Sequence, residues 1–386
     1  MSSTFPAPPA AATLNLSTIA EALDKTACPL DTFDPLPLKP WMDLATLALL
    51  AHSGELRAER RACAEAPQRL SERTLSRLEA LAGDRPEHYW GDLVYYGATL
   101  GLFEAQQGKW VIRSVDSEIL GATRRECFPA LCAAWLKSTA PIPELCEVGL
   151  SPDCSLAFKM DVMRFITQLD EGRWYPYSSL GFVLKAAAQK HGVELSPESL
   201  AAMASALTER VFLVLGAVSI NAAGDHFIAR NELQVPAATI ASRCSERADA
   251  QGYRQVVARQ FEKDQSWRRV ATGLWRCLEV RRERRAPPAS LRCTDADNHL
   301  ETDPRLPFRD CLFLARIGRL VPLSEGASRD SDRAFGRYAF ELAPDTLKRS
   351  ITEGLPAAEI AAFLRERCCD ESFGKIQRML QAATGQ

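Results

Sequence analysis

Residues 100–112 read LGLFEAQQGKWVI, in which a glycine at a helix end is followed by a short apolar strand, a polar turn and a second strand. A similar stretch, LGAVSINAAGDHFI, occupies residues 215–228 and differs by one residue in the turn. Because the same strand–turn–strand signal returns after about 115 residues, the sequence predicts an internal repeat.

Helical segments precede each of the two predicted ribbons. RLSERTLSRLEALA (69–82) and EHYWGDLVYYGATLG (87–101) carry apolar residues at helical spacing, and Ser71 is the expected N-cap. The segment before the second ribbon has the same helical spacing of apolar residues and begins with a serine, Ser196, at the expected N-cap: SPESLAAMASALTERVFLVLG (196–216). Helices followed by a two-stranded ribbon favour a winged helix. We therefore expect two winged-helix domains, at 41–158 and 159–245, after a flexible Pro- and Ala-rich arm over 1–40.

Positive charge is concentrated in one central segment. The whole chain has a net charge of −2, so any nucleic-acid site has to be a local patch. Residues 254–292 hold eleven Lys or Arg against four Asp or Glu. We interpret 246–286 as a basic helical connector that binds nucleic-acid backbone, the alternatives being an acidic protein partner or a merely solvated helix. The predicted phosphate-binding residues there are Arg268, Arg269, Arg276, Arg281, Arg282, Arg284 and Arg285.

Two further sets of site residues come from the first repeat. Lys109 and Arg113 lie on its predicted wing and are candidates for phosphate contact. Its third helix offers Tyr89 and Tyr96 rather than the Arg, Lys, Asn or Gln that read base edges, which disfavours sequence-specific readout. We expect the two tyrosines to be exposed and to bind a partner protein, the alternative being that both pack against neighbouring modules.

The sequence carries no recognisable catalytic motif. GxxxxGK[ST], HExxH, GxSxG and CxxC are all absent, so we predict no ATPase motor, no metal and no cofactor. A divergent metal-dependent nuclease built from Asp153, Asp161 and Lys159 stays an alternative. The twelve cysteines are read as reduced thiols. Since there is no secretory signal and no apolar run of bilayer length, we expect a cytoplasmic protein with no membrane partner.

The C-terminal hundred residues resemble a known family. LRCTDADNHLETDPRLPFRDCLFLARIGRLVPL (291–323) and RYAFELAPDTLKRSITEGLPAAEIAAFLRERC (337–368) are similar to the helicase-associated domain found at the N-terminus of XPB helicases and in bacterial "helicase conserved C-terminal domain" proteins. The resemblance implies an XPB N-terminal-like module at 287–386. It also implies a protein that accompanies DNA-processing machines, and it supplies no catalytic residues.

Together these observations predict a mainly α fold with small β-ribbons, of the α+β class. The predicted function is a non-enzymatic adaptor that binds DNA backbone with low sequence specificity. It would dock a separately encoded helicase or nuclease in bacterial DNA repair or anti-phage defence. The alternatives are the divergent nuclease and a winged-helix transcription regulator.

Overall fold

The computed structural model describes most of the chain between residues 25 and 384. The described ranges are 25–36, 38–57, 70–86, 88–113, 172–190, 192–229, 290–294, 298–303, 306–323 and 337–384, with Leu23 and isolated positions between 131 and 170. The fold is α+β, with small antiparallel sheets. The chain divides into two compact units: Met1–Leu38 with Trp135–Lys263, and Lys39–Ala134 with Asp264–Gln386. We call these the first and the second unit.

The N-terminal segment belongs to the first unit. Strand β1 (Cys28–Pro29) leads into a 3₁₀ turn (Leu30–Thr32). β1 pairs with residues of the second predicted module, Cys28 opposite Trp174. The expectation of a flexible arm over 1–40 is therefore corrected for residues 25–36, whose backbone and Phe33 side chain both have partners in the sheet.

The second unit contains the first repeat. Its helices are α1 (Pro40–His52), α2 (Glu72–Ala82) and α3 (Tyr89–Thr99), and its ribbon strands are β2 (Phe103–Gln106) and β3 (Lys109–Ile112). Ser71 caps α2 as expected, because its hydroxyl accepts from the Thr74 amide at 3.3 Å. Between α1 and α2, Arg57 forms a single antiparallel bridge with Lys109. The order is therefore helix, bridge, two helices and a ribbon.

The first unit contains the second repeat, which has the same order from the bridge strand onward. Strand β4 (Arg173–Pro176) precedes helices α4 (Tyr177–Lys190) and α5 (Pro197–Ala206). The chain continues from α5 through a π-helical stretch (Leu207–Phe212) and a last turn, α6 (Leu213–Leu215). Strands β5 (Val218–Ile220) and β6 (His226–Ala229) follow, and the sheet order is β1-β4-β6-β5.

Strand register corrects the alignment of the two ribbons. Gly101 and Gly216 both have φ near +76°, at +75° and +77°, so the two strands that follow start at equivalent positions. Phe103 pairs with Ile112, whereas Val218 pairs with Ala229. The second turn is therefore two residues longer, and the expected difference of one residue is wrong.

The C-terminal module lies in the second unit and packs against α1. Its strands form a sheet in the order β7-β8-β10-β9, and helices follow the last strand. These elements are β7 (Leu291–Thr294), β8 (His299–Thr302), α7 (Phe308–Ile317), β9 (Arg319–Val321), β10 (Ala339–Glu341), α8 (Pro344–Thr352), α9 (Ala357–Arg367) and α10 (Asp370–Thr384). The apolar spacing of this module predicts one core, made of Phe340, Leu342, Leu347, Ile351, Ile360, Phe363 and Leu364. Five of them are fully buried and confirm it, whereas Ile351 and Phe363 are only half-buried.

No helix in the described part of the chain is long and apolar enough to cross a membrane.

Candidate nucleic-acid interface

Three cations share the outer face of the first ribbon. Lys109 and Arg113 stand four residues apart around β3, and both are exposed. Because side chains alternate along a strand, Trp110 between them points to the opposite face, where it is buried. Arg57 is also exposed, and its bridge to Lys109 puts it on the same face. We call Arg57, Lys109 and Arg113 the basic ribbon face.

The basic ribbon face carries an excess of positive charge. Across the ribbon, Gln106 is paired with Lys109 and Glu104 with Val111. The Gln106 amide donates a hydrogen bond to the Glu104 carboxylate, so this carboxylate already has a partner. Within the described part of the chain, none of the three cations forms an ion pair with a carboxylate. The three side chains are therefore available to an external anion.

Local backbone conformation builds this face. The ribbon turn at Gln107 and Gly108 has φ of +50° and +77°, the left-handed values that a tight two-residue hairpin requires. Arg113 lies just beyond β3, with its Nη1 atom 3.9 Å from the position that a Cβ would take at Gly101. Gly101 follows the C-terminal end of α3, where unpaired carbonyls favour a cation. The Arg113 side chain thus lies beside the helix end.

The structure corrects the prediction for Tyr89 and Tyr96. Only 1% of Tyr89 and 4% of Tyr96 is exposed, so neither is an exposed partner-binding residue. α3 is enclosed on more sides than its apolar stripe indicates, because Asp92 is also buried and Thr99 is the one fully exposed residue of the helix. Helical spacing places both tyrosines on the face opposite the apolar Trp90, Leu93 and Val94, and this position predicts their exposure. Inside the fold, the Tyr89 hydroxyl has an acceptor on α1.

That acceptor belongs to a buried polar network. Arg85 binds both carboxylate oxygens of Asp43, at 3.1 and 3.3 Å, and the Tyr89 hydroxyl donates to Asp43 at 2.8 Å. The guanidinium of Arg85 also lies 5.8 Å from the Trp90 ring centroid. Burial, followed by the Asp43 charge, raises the pKa of Tyr89 well above its usual range. The network joins α1 to α3 through buried side chains, so we assign it a structural role.

Two of the three residues considered for a nuclease, Asp161 and Lys159, have other partners within the fold. Asp161 is ion-paired with Lys190 at 2.9 Å. Lys159 donates to the Trp135 carbonyl at 3.1 Å, and burial lowers the pKa of its ammonium to about 8. Asp153 lies outside the described residues. Among the residues that the structure describes, no group of three or more His, Cys, Asp or Glu is placed to hold a metal ion.

The seven arginines predicted in the central segment also lie outside the described residues. The sequence did not identify Arg57 as part of the basic ribbon face, because Arg57 pairs with β3 through a single bridge residue. A single paired residue leaves no alternation that a sequence pattern could detect.

No protein-family model and no curated protein matches this chain.

Proposed function

We propose that the protein binds the phosphate backbone of nucleic acid through the basic ribbon face and acts as a non-enzymatic adaptor. The observation that carries the proposal is the exposed, unpaired set of Arg57, Lys109 and Arg113 on one face of the first ribbon. Phosphate neutralisation requires clustered cations and no fixed geometry. The basic residues of the central segment, such as Arg281 and Arg282, are further candidates for phosphate contact on sequence grounds.

The proposed fold supports this role. The order of bridge strand, two helices and ribbon occurs in both repeats, and we interpret each repeat as a winged helix. In such domains the third helix and the ribbon are the parts that meet DNA. The first repeat would use the ribbon, since α3 exposes no Arg, Lys, Asn or Gln and cannot read base edges. Low sequence specificity follows, which disfavours the transcription regulator.

The partner-docking half of the proposal rests on the C-terminal module. We interpret residues 287–386 as an XPB N-terminal-like domain that docks a separately encoded helicase or nuclease. Bacterial DNA repair or anti-phage defence is the proposed setting. A tagged full-length chain, recovered from its native host, is expected to retain such a partner by mass spectrometry, and recovery with no DNA-processing enzyme would contradict this half.

The nucleic-acid half is tested by fluorescence anisotropy on a labelled mixed-sequence duplex. The triple variant Arg57→Ala, Lys109→Ala, Arg113→Ala should bind on the order of a hundredfold more weakly at about 0.1 M salt, because three phosphate contacts are lost. The matched control replaces three exposed cations elsewhere, Lys185, Lys348 and Arg378, with Ala. Equal weakening by both variants would show only a general charge effect and would contradict a localised site.

The non-enzymatic part is tested separately. Purified protein incubated with labelled duplex or single-stranded DNA and Mg²⁺ or Mn²⁺ should leave the substrate intact, and it should release no phosphate from ATP. Cleavage that persists through purification and is lost on Asp161→Ala would instead support the nuclease.

A further inference from the structure

Residues 25–36 cross the outer face of the sheet in the first unit. At one edge, β1 pairs with β4, Cys28 opposite Trp174. At the other edge, Pro35 bridges Asn221, and the Leu36 amide donates to the Ile220 carbonyl at 2.8 Å. The segment therefore reaches both edges of this sheet. We call residues 25–36 the strap.

One aromatic residue anchors the centre of the strap. The Phe33 ring lies 5.8 Å from the Trp174 ring, edge-on at 88°, and 4.7 Å from the His226 ring. The indole nitrogen of Trp174 donates to the Leu30 carbonyl at 2.9 Å. By strand alternation, Trp174, His226 and Ile228 share the face under the strap, whereas Tyr175 and Phe227 lie on the opposite face. The surface below the strap is thus aromatic and apolar.

The strap itself buries little. Leu30 is 55% exposed, and Asp31, Thr32 and Asp34 are exposed as well. Pro29 and Pro35 have no amide proton to give to a neighbouring strand. Few buried contacts and short pairing place a segment at the low end of local stability. Trp174 and Ile228 beneath it are at most 2% exposed. A well-formed apolar surface is therefore covered by a weakly held segment.

The equivalent face of the first repeat has no such cover, since Lys109 and Arg113 are exposed there. Covering the sheet is therefore not a general requirement of the repeated fold. It is specific to the second repeat.

We propose that the outer face of the second repeat, formed by Trp174, His226 and Ile228, is a docking groove for an extended peptide of a partner protein. In this structure the strap occupies the groove. The sequence at its centre, DTFDP (31–35), indicates which kind of peptide the groove accepts. The partner peptide has an aromatic residue two positions before a proline, as Phe33 and Pro35 are in the strap. It adds to the sheet edges as the strap does, in the manner of β-strand addition. This groove is separate from the nucleic-acid interface, and either can fail without the other.

A tethered occupant competes strongly with a free one. A short linker gives the tethered segment an effective concentration in the millimolar range. A free peptide therefore binds the wild-type chain weakly, and it binds more tightly once the strap has lost its anchor. Phe33 is that anchor, whereas the exposed Leu30 side chain is not.

The experiment measures binding of a fluorescein-labelled peptide of residues 25–36 to the full chain by anisotropy. The Phe33→Ala chain should bind the peptide at least about tenfold more tightly than the wild-type chain. The Leu30→Ser chain, with a change in the same segment that spares the anchor, should behave as wild type. A peptide carrying Phe33→Ala should not bind any of the three chains. Equal peptide affinity for the wild-type and Phe33→Ala chains would overturn the proposal.

Two further readouts do not depend on the folding of the Phe33→Ala chain. In the wild-type chain, the Leu36 amide should exchange with deuterium at least about a hundredfold faster than the Phe227 amide. Equal protection would show that the strap opens only with the whole sheet and would overturn the proposal. A wild-type dimer in which the strap is exchanged between copies, detected by analytical ultracentrifugation and cross-linking, would assign the groove to a second copy and overturn the partner assignment.

Discussion

Arg57 and Lys109 lie directly opposite each other in an antiparallel bridge. Both are exposed cations on the same face of the ribbon. Like charges directly opposite each other destabilise a strand pair. Within the described residues, neither cation is compensated by a carboxylate partner. The like charges of this pair therefore oppose folding, and the proposed binding of an external anion would relieve their repulsion.

Replacing Arg57 should weaken DNA binding without lowering the stability of the folded state. In the Arg57→Thr variant, the repulsion with Lys109 is removed and a β-branched residue takes the bridge position. The free energy of unfolding in urea should stay equal or rise by about 0.2–1 kcal/mol. Duplex DNA affinity should fall about fivefold to tenfold at about 0.1 M salt, because one phosphate contact is lost. A destabilised variant with unchanged DNA affinity would show that Arg57 has a structural role instead.

Gly97 should not tolerate even a methyl group. A Cβ at this position would lie 2.5 Å from Cε2 of Phe103, inside the contact between α3 and the first ribbon. Gly97→Ala should lower the free energy of unfolding by about 1–3 kcal/mol, because Phe103 is buried and has to move.

The matched control for Gly97 is Gly374, also inside a helix. A Cβ there meets nothing within 4 Å. Gly374→Ala should raise the free energy of unfolding by about 0.5–1 kcal/mol, since alanine has the higher helix propensity. Chemical denaturation of both variants checks the pair. Similar effects at the two positions would contradict the close contact at Gly97.

Removing Arg85 from the Asp43 network should strongly destabilise the folded state. Arg85→Ala leaves a carboxylate that is 1% exposed without its cation, so the free energy of unfolding should fall by about 3–5 kcal/mol. Tyr89→Phe removes one hydrogen bond to the same carboxylate and should cost about 1.5–3 kcal/mol. Arg73→Ala, an exposed change on α2, should stay within about 0.5 kcal/mol. A loss for Arg85→Ala as small as that for Arg73→Ala would contradict the buried ion pair.

Lys159 should make stability depend on alkaline pH. Burial lowers its pKa to about 8 from 10.5, so below pH 8 the folded state holds a buried charge and its full penalty. Between about pH 8 and 10.5 the folded state loses the proton first. The unfolded state then binds more protons, and stability rises with pH.

The readout for Lys159 is the free energy of unfolding of the wild-type chain relative to Lys159→Met, measured from pH 7 to 10.5. It should rise by about 1–3 kcal/mol across that range. Titration of tyrosines and cysteines is common to both chains and cancels. A difference that stays constant with pH would contradict the lowered pKa.

Local sequence signals predicted the elements whose structure is set by neighbouring residues. Ser71 before an apolar helical period gave α2 its N-cap, and Ser196 did the same for α5 through the Ser199 amide. Helical spacing also identified the buried Ile360 and Leu364. In each case the decisive contacts lie within one helix or along one apolar stripe.

Features set by distant residues could not be predicted in this way. Tyr89 can be buried because Asp43, 46 residues earlier, accepts a hydrogen bond from its hydroxyl group. The strap is held because Phe33 meets Trp174 and His226, far away in the chain. Arg57 reaches the basic ribbon face through one bridge to β3. Such contacts depend on tertiary packing, which the spacing of apolar residues in a single sequence does not reveal.

The salt dependence of duplex DNA binding tests the basic ribbon face most directly. Each neutralised phosphate contributes about −0.9 to the slope of log K against log salt. Replacing Arg57, Lys109 and Arg113 with Ala should therefore make the slope shallower by about 2.7, between about 50 and 200 mM salt. The control variant at Lys185, Lys348 and Arg378 should keep the wild-type slope. A triple variant with the wild-type slope would contradict phosphate binding by this face.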